Sequence, residues 1–278
     1  MITNALVARM FKNPARGGKA VYAERLGASF VGQDSEVDGF HLLSVKGRAE
    51  NKRHVFFLHG GAYVAEASAG HLRIIKRFVQ DFGLHVTSFD YPLAPEYTAT
   101  TTHRVVLKAY EEVAARYPDH EFCLFGDSAG GGLALALLQV LRNAGAGHRP
   151  VRTALVSPWV DLTMSNPDSA ALQRKDFILS VSSLSYAARA YAGELALTDP
   201  RLSPIYGNLE NLGDVLVVTG TNDILYPDCL VLAEKLAQAR GTTVRLDEAR
   251  GLFHDFVVAP LPQTARAITA IGEFFMAG

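Results

Sequence analysis

The stretch Gly126-Asp127-Ser128-Ala129-Gly130-Gly131 constrains this chain more than any other. An apolar, strand-like run, Glu121-Phe122-Cys123-Leu124-Phe125, leads into it, and an apolar, helix-like run from Leu133 to Leu141 leads out. A strand that becomes a helix in so few residues must turn sharply at Ser128, which strains the serine backbone and projects its Oγ outward. Side chains two positions before and two after would collide, and Gly126 and Gly130 stand there. The helix start aims unpaired N–H groups at any negative charge that develops beside Ser128. A serine opening a helix is otherwise an ordinary cap, so the rest of the chain must supply chemical partners.

Elsewhere short β-rich runs alternate with longer helical ones. Strands are expected at Gly39–Lys46, Val55–His59, Leu84–Asp90, Phe122–Phe125, Thr153–Ser157, Val215–Thr219 and Thr243–Glu248. Several are continuous apolar runs, as in parallel strands buried on both faces. Helices are expected at Ala69–Asp81, Thr101–Tyr117, Ala129–Asn143, Pro227–Arg240 and Pro262–Met276, and Gly145 and Gly241 stand where left-handed caps end two of them. This alternation predicts one α/β domain over residues 1–278, a mostly parallel sheet with helices on both faces. Two regions break the rhythm: an amphipathic helix expected at Gly18–Phe30 within residues 1–35, with no strand partner, and helical material at Ser182–Ala192 within residues 161–205. Ligands bind at the carboxyl ends of parallel strands. The two extras are therefore expected to form a small helical cap over that edge, the alternative being that Gly18–Phe30 packs on the sheet face.

A chain of 278 residues with 49% hydrophobic residues can bury one large core. Its formal net charge of −1 gives no electrostatic reason to bind nucleic acid or an anionic membrane surface. The first residues lack a secretory pattern, and no run approaches the roughly 18 apolar residues of a membrane span. A cytoplasmic location follows as the expectation, with Cys123 and Cys229 as buried free thiols.

His59-Gly60-Gly61-Ala62 follows the strand ending at Leu58. Residues without side chains let backbone N–H groups approach a substrate oxygen, so Gly60, Gly61 and Ala129 are expected to form an oxyanion hole. His59, fixed between strand and turn, reads as a loop organiser. Of the nine histidines, His254 alone follows the last strand in a loop, Gly251-Leu252-Phe253-His254-Asp255-Phe256, and so has the position of a base. His71 and most of the others read as surface or packing residues. Asp223, in the turn after Val215–Thr219, is the expected acid, with Asp161 as runner-up and Asp228 as a helix N-terminal charge. The chain order Ser128, Asp223, His254 is one known order of a catalytic triad. Asp127 is expected to tune the helix start, and Tyr63 and Trp159 to line the pocket.

Four segments together resemble the hormone-sensitive-lipase-like branch of the α/β-hydrolases, the bacterial family IV rich in carboxylesterases. They are His59-Gly60-Gly61-Ala62, Asp90-Tyr91-Pro92-Leu93-Ala94-Pro95-Glu96, Gly126–Gly131 and Ser157-Pro158-Trp159-Val160-Asp161-Leu162-Thr163. The likeness runs from about residue 38 to the C-terminus and includes Asp199-Pro200-Arg201-Leu202-Ser203-Pro204. It implies Ser128, Asp223 and His254 as triad, Gly60, Gly61 and Ala129 as oxyanion donors, and the two extra regions as cap. It also implies no metal and no cofactor, and dimers are common in the family. Ala62 and Ala65 stand where the family favours glycine, Pro92 where it favours arginine, and Asp255 where it favours glycine. These departures bear on the acyl and alcohol pockets.

The expected function is hydrolysis of short-chain acyl esters through an acyl-enzyme, with a small-molecule ester as the partner. The same triad would serve a deacetylase or an amidase. A non-catalytic small-molecule receptor on this fold typically lacks the base, which is present here, and no long amphipathic lid suggests a lipase. Activity is expected to fall as pH drops through about 6–7, because the base must be neutral.

Overall fold

Eight strands form one sheet in the order β1-β2-β4-β3-β5-β6-β7-β8 in the computed structural model, which describes residues 21–277. The strands are β1 Gly32–Val37, β2 Phe40–Val45, β3 Arg53–Leu58, β4 His85–Phe89, β5 Glu121–Asp127, β6 Arg152–Val156, β7 Gly213–Gly220 and β8 Thr242–Ala249. From β4 through β8 all neighbours are parallel, while β1 and β2 pair antiparallel at one edge. The helices are α1 Ala69–Phe82, α2 Ala99–Arg116, α3 Ser128–Asn143, α4 Pro167–Leu172, α5 Val181–Ala192, α6 Tyr226–Gln238 and α7 Pro262–Met276.

The sheet divides the core in two, and strand alternation assigns each residue its side. Phe56 and Leu58 of β3 join the layer beneath α2, α3 and α6, with Leu124, Leu135 and Leu232. Val55 and Phe57 turn to the layer of α1 and α7, with Phe125, Phe78 and Phe275. Central β5 is buried from Phe122 onward, so its run of apolar residues serves both layers. Both cysteines are buried free thiols, and burial pushes Cys123 up to about 12.

The expected strands and the helices from Ala69 onward are present, with ends moved by at most a few residues, but the helix expected at Gly18–Phe30 is not. Two regions differ. β1 was not expected: its Gly-Gln-Asp-Ser-Glu-Val sequence has a single paired neighbour and is largely exposed. Of the expected segment Gly18–Phe30, residues 18–20 lie outside the described residues, and the rest holds only a 3-10 turn, Ala23–Arg25. Ala23 donates its N–H to Asp34 of β1, and Leu26 is buried with Leu43 and Val45 of β2. This stretch braces the sheet edge. No helix among the described residues is long and apolar enough to cross a membrane.

Candidate active site

Ser128 opens α3 directly after β5 with φ 51°, in the left-handed region. The turn closes only because its flanks are bare. A Cβ on Gly126 would lie 2.2 Å from the Gly130 carbonyl oxygen, and one on Gly130 would lie 2.1 Å from the Leu58 carbonyl oxygen. This strain, paid within a tightly packed core, leaves the serine hydroxyl at the carboxyl end of the sheet.

Two loops bring partners to it. His254, between β8 and the 3-10 turn Phe256–Val258, places Nε2 2.9 Å from Ser128 Oγ. Its Nδ1 lies 2.9 Å from Asp223 Oδ2, in the turn after β7. The ionised carboxylate accepts Nδ1–H, which leaves the Nε2 lone pair facing the serine. The other Asp223 oxygen accepts the Leu225 N–H at 2.8 Å, so the fully buried acid is held from both sides. Burial disfavours the imidazolium, but the adjoining Asp223 carboxylate outweighs it and holds His254 above the ordinary histidine value. Asp161 lies elsewhere, accepting from Thr163 and from the Tyr206 hydroxyl at 2.8 Å. Asp228 accepts from Asn166 at 2.8 Å, and burial pushes its carboxyl up to about 6.

The loop after β3 departs from expectation at one residue. Gly60 donates its N–H to Asp127 Oδ2 at 2.9 Å, so this amide is already engaged. Gly61 and Ala62 have φ 132° and 53°, and their N–H groups have no acceptor among the described residues. The Ala129 amide lies in the first turn of α3, where no intrahelical carbonyl is available. The amides left free at the loop and the helix start, among the described residues, are therefore those of Gly61, Ala62 and Ala129. His59 is stacked on Tyr91 with centroids 4.5 Å apart and bonds the Gly60 carbonyl at 2.7 Å. Burial holds it at about 4.

Tyr63 and Trp159 sit behind the site. The left-handed turn at Tyr63 sends its ring onto Tyr191, parallel at 3.8 Å, and Trp159 donates Nε1–H to the Asp161 carbonyl at 3.0 Å. Both are buried in the core, and neither lines the cavity that holds Ser128. That cavity, about 330 Å3, is walled by Val64, Ile178, Leu179, Phe253 and Val258 around Ser128 and His254. Ile178 and Leu179 belong to the insertion after Asp161. Asp176 fixes them: its Oδ1 accepts their N–H groups at 2.8 and 3.0 Å, and its Oδ2 accepts the N–H of Ile224, beside Asp223. No motif announces this residue.

Asp127 makes no helix-capping bond. Besides Gly60, it accepts from His71 Nε2 at 3.0 Å, and Asp255 adjoins the pair. His71, Asp127 and Asp255 have the composition of a metal site, with candidate ligand atoms within 4.8 Å of one another. The tautomer argues against one. The Ser68 N–H donates to His71 Nδ1 at 2.7 Å, so Nε2 carries the hydrogen and points it at Asp127. The one available signal for His71 was Ser68-x-x-His71 at a helix start, a capping-box spacing with histidine in place of glutamate.

A strand-end serine, a histidine and an aspartate in one hydrogen-bonded chain, above a mostly parallel sheet, define a hydrolase of the α/β class. A family model described as the alpha/beta hydrolase fold matches residues 55–258, and the chain belongs to that family. It is 31% identical over 236 residues to an acetyl-hydrolase of Streptomyces hygroscopicus, covering 83% of this chain and 77% of that protein. It is 29% identical over 210 residues to an ethyl acetate hydrolase of Pseudomonas putida, covering 73% and 65%. Among solved structures, an esterase of the bacterial hormone-sensitive lipase family superposes with a TM-score of 0.83 at 27% identity, covering 98% of this chain and 96% of that one. The resemblance read from the four motifs is thus borne out.

Proposed function

We propose that this hydrolase is a serine carboxylesterase acting on short-chain acyl esters through an acyl-enzyme. The continuous chain from Asp223 through His254 to Ser128, with both contacts at 2.9 Å, carries the reading. Ser128 Oγ attacks the ester carbonyl as His254 Nε2 takes its proton. Asp223 keeps the imidazole in the right tautomer and stabilises its cation. The amides of Gly61, Ala62 and Ala129 receive the oxyanion, each such donor being worth roughly 3–4 kcal/mol in the transition state. The imidazolium then protonates the departing alcohol, and water repeats the sequence on the acyl-enzyme.

Short acyl groups are favoured by the cavity. Its volume of about 330 Å3 is at the small end of the roughly 300–1,000 Å3 typical of ligand sites. The relatives named for acetyl and ethyl acetate hydrolysis support the same choice. In this reading residues about 161–205 act as a cap, with Ile178 and Leu179 closing over the serine.

Hydrolysis of nitrophenyl esters across acyl lengths, with Ser128→Ala as control, tests the proposal. Activity should peak at short chains and vanish in the variant, together with labelling by a serine-reactive phosphonate. Labelling of Ser128→Ala at the parental rate would overturn the assignment, and a rise in rate toward long chains would overturn the short-chain preference.

A further inference from the structure

Four separate elements converge below the glycine loop. The loop after β3 supplies the Gly60 amide, α1 supplies His71, the elbow supplies Asp127, and the loop after β8 supplies Asp255. Asp127 Oδ2 accepts twice, from Gly60 N–H at 2.9 Å and His71 Nε2–H at 3.0 Å. The loop is moulded to it: a Cβ on Gly60 would lie 2.2 Å from that same oxygen. The remaining oxygen, Oδ1, is buried without a donor, and so is Oδ1 of Asp255. A carboxylate oxygen of Asp255 lies within 4.8 Å of one of Asp127. Two bare carboxylates side by side in a buried site repel, whereas one proton between them satisfies both.

We infer that Asp255 is a positioning residue: its carboxyl donates one shared proton to Asp127, and this pair, with His71, anchors the Gly60 amide and thereby sets the Gly61 and Ala62 amides for the oxyanion. The inference rests on the esterase reading for its kinetic consequence, but not for the shared proton itself.

Asp127 is the ionised member, because two N–H donors favour its charge, and Asp255 is the acid. Burial, and then the neighbouring Asp127 charge, hold Asp255 well above the usual carboxylate range. The other titratable and charged groups facing the cluster are His59 from the glycine loop, His71 and Arg73 from α1, Asp90 and Tyr91 beyond β4, and His254 with Asp223 behind it. His71 stays neutral, since burial lowers its pKa and the Ser68 amide occupies its other nitrogen. The shared proton is therefore the one whose loss at alkaline pH places two negative charges in contact and loosens the grip on Gly60.

Asp255→Ala removes the donor and should lower kcat about ten- to a hundredfold with KM little changed, the scale expected when a reacting group is misplaced by about 1 Å. Asp255→Asn restores a donor to Asp127 without a proton to lose. It should recover most of kcat and abolish the alkaline fall of the parent, leaving the acid limb set by His254 in place. An Asp255→Asn profile with the parental alkaline fall, or an Asp255→Ala enzyme with parental kcat, would overturn the inference. Infrared spectroscopy at pH 8 reads the proton without turnover: the parent should show a protonated-carboxyl C=O band that Asp255→Asn lacks. A parent without the band overturns the shared proton. A band present in a protein inactive on every ester upholds the shared proton and overturns the esterase reading instead.

Discussion

At the scale of single residues, His254 shows how environment sets chemistry. An ordinary imidazole would make activity fall through about pH 6–7. Here the contact with Asp223 holds the imidazolium more firmly, so the acid limb of kcat/KM should lie above 6.5, the unperturbed value. A profile flat well below that value would remove His254 as the base. Asp223→Asn would leave Nδ1 without its anionic acceptor and favour the wrong tautomer. Its kcat should drop on the order of 10,000-fold, and an effect below about tenfold would remove Asp223 as the acid. The three residues of this chain were legible because each follows a strand, in an order that a triad can adopt. The engagement of the Gly60 amide was not legible. It depends on a carboxylate 67 residues away that claims the Gly60 amide, and no local spacing encodes that contact.

At the scale of elements, the elbow joins β5 to α3 by close approach of backbones. Gly130→Ala would drive a Cβ to 2.1 Å from the Leu58 carbonyl in β3, and should cost about 3 kcal/mol of stability, at the upper end of overpacking effects. A urea midpoint equal to that of the parent would contradict the geometry. Asp176 does for two loops what the glycines do for the elbow. Removing it in Asp176→Ala would strand three backbone N–H groups at about 1–3 kcal/mol apiece if they stay buried. Melting should reveal the loss, and kcat/KM should fall with it as Ile178 and Leu179 leave the cavity wall. The parallel strands and their helices were readable from apolar runs and periodicity, since burial on both faces demands that composition. β1 was not, because a polar edge strand with one neighbour has the same composition as a loop. The insertion after Asp161 could be located but not shaped, since its position is fixed by Asp176 and the sheet edge rather than by any repeat of its own.

At the scale of the whole molecule, the amino ends of β3, β4 and β5 gather His54, His85 and His120. His54 Nδ1 lies 3.2 Å from His120 Nδ1, and its Nε2 bonds Thr87 at 2.8 Å. Burial first, then the neighbouring histidines of the cluster, lowers the pKa of His54 and His120, and burial likewise lowers that of His85. The unfolded chain therefore takes up protons before the folded one as pH falls below 6.5, and stability declines from there downward. The buried His59, His71 and His103, also lowered by burial, add to this decline. The melting temperature should drop steadily between pH 6.5 and 4.5, and His54→Gln should blunt the slope; an equal slope in the variant would assign the acid sensitivity to the other histidines.

The order of Ser128, Asp223 and His254 along the chain also has a consequence in time. Ser128 follows the fifth strand and Asp223 the seventh, but His254 follows the eighth. A growing chain that has delivered the described strands through Ala249 still lacks the imidazole that activates the serine in the proposed mechanism. On that proposal a nascent protein stays silent until the loop after β8 arrives, so its first turnover reports that synthesis has passed that strand.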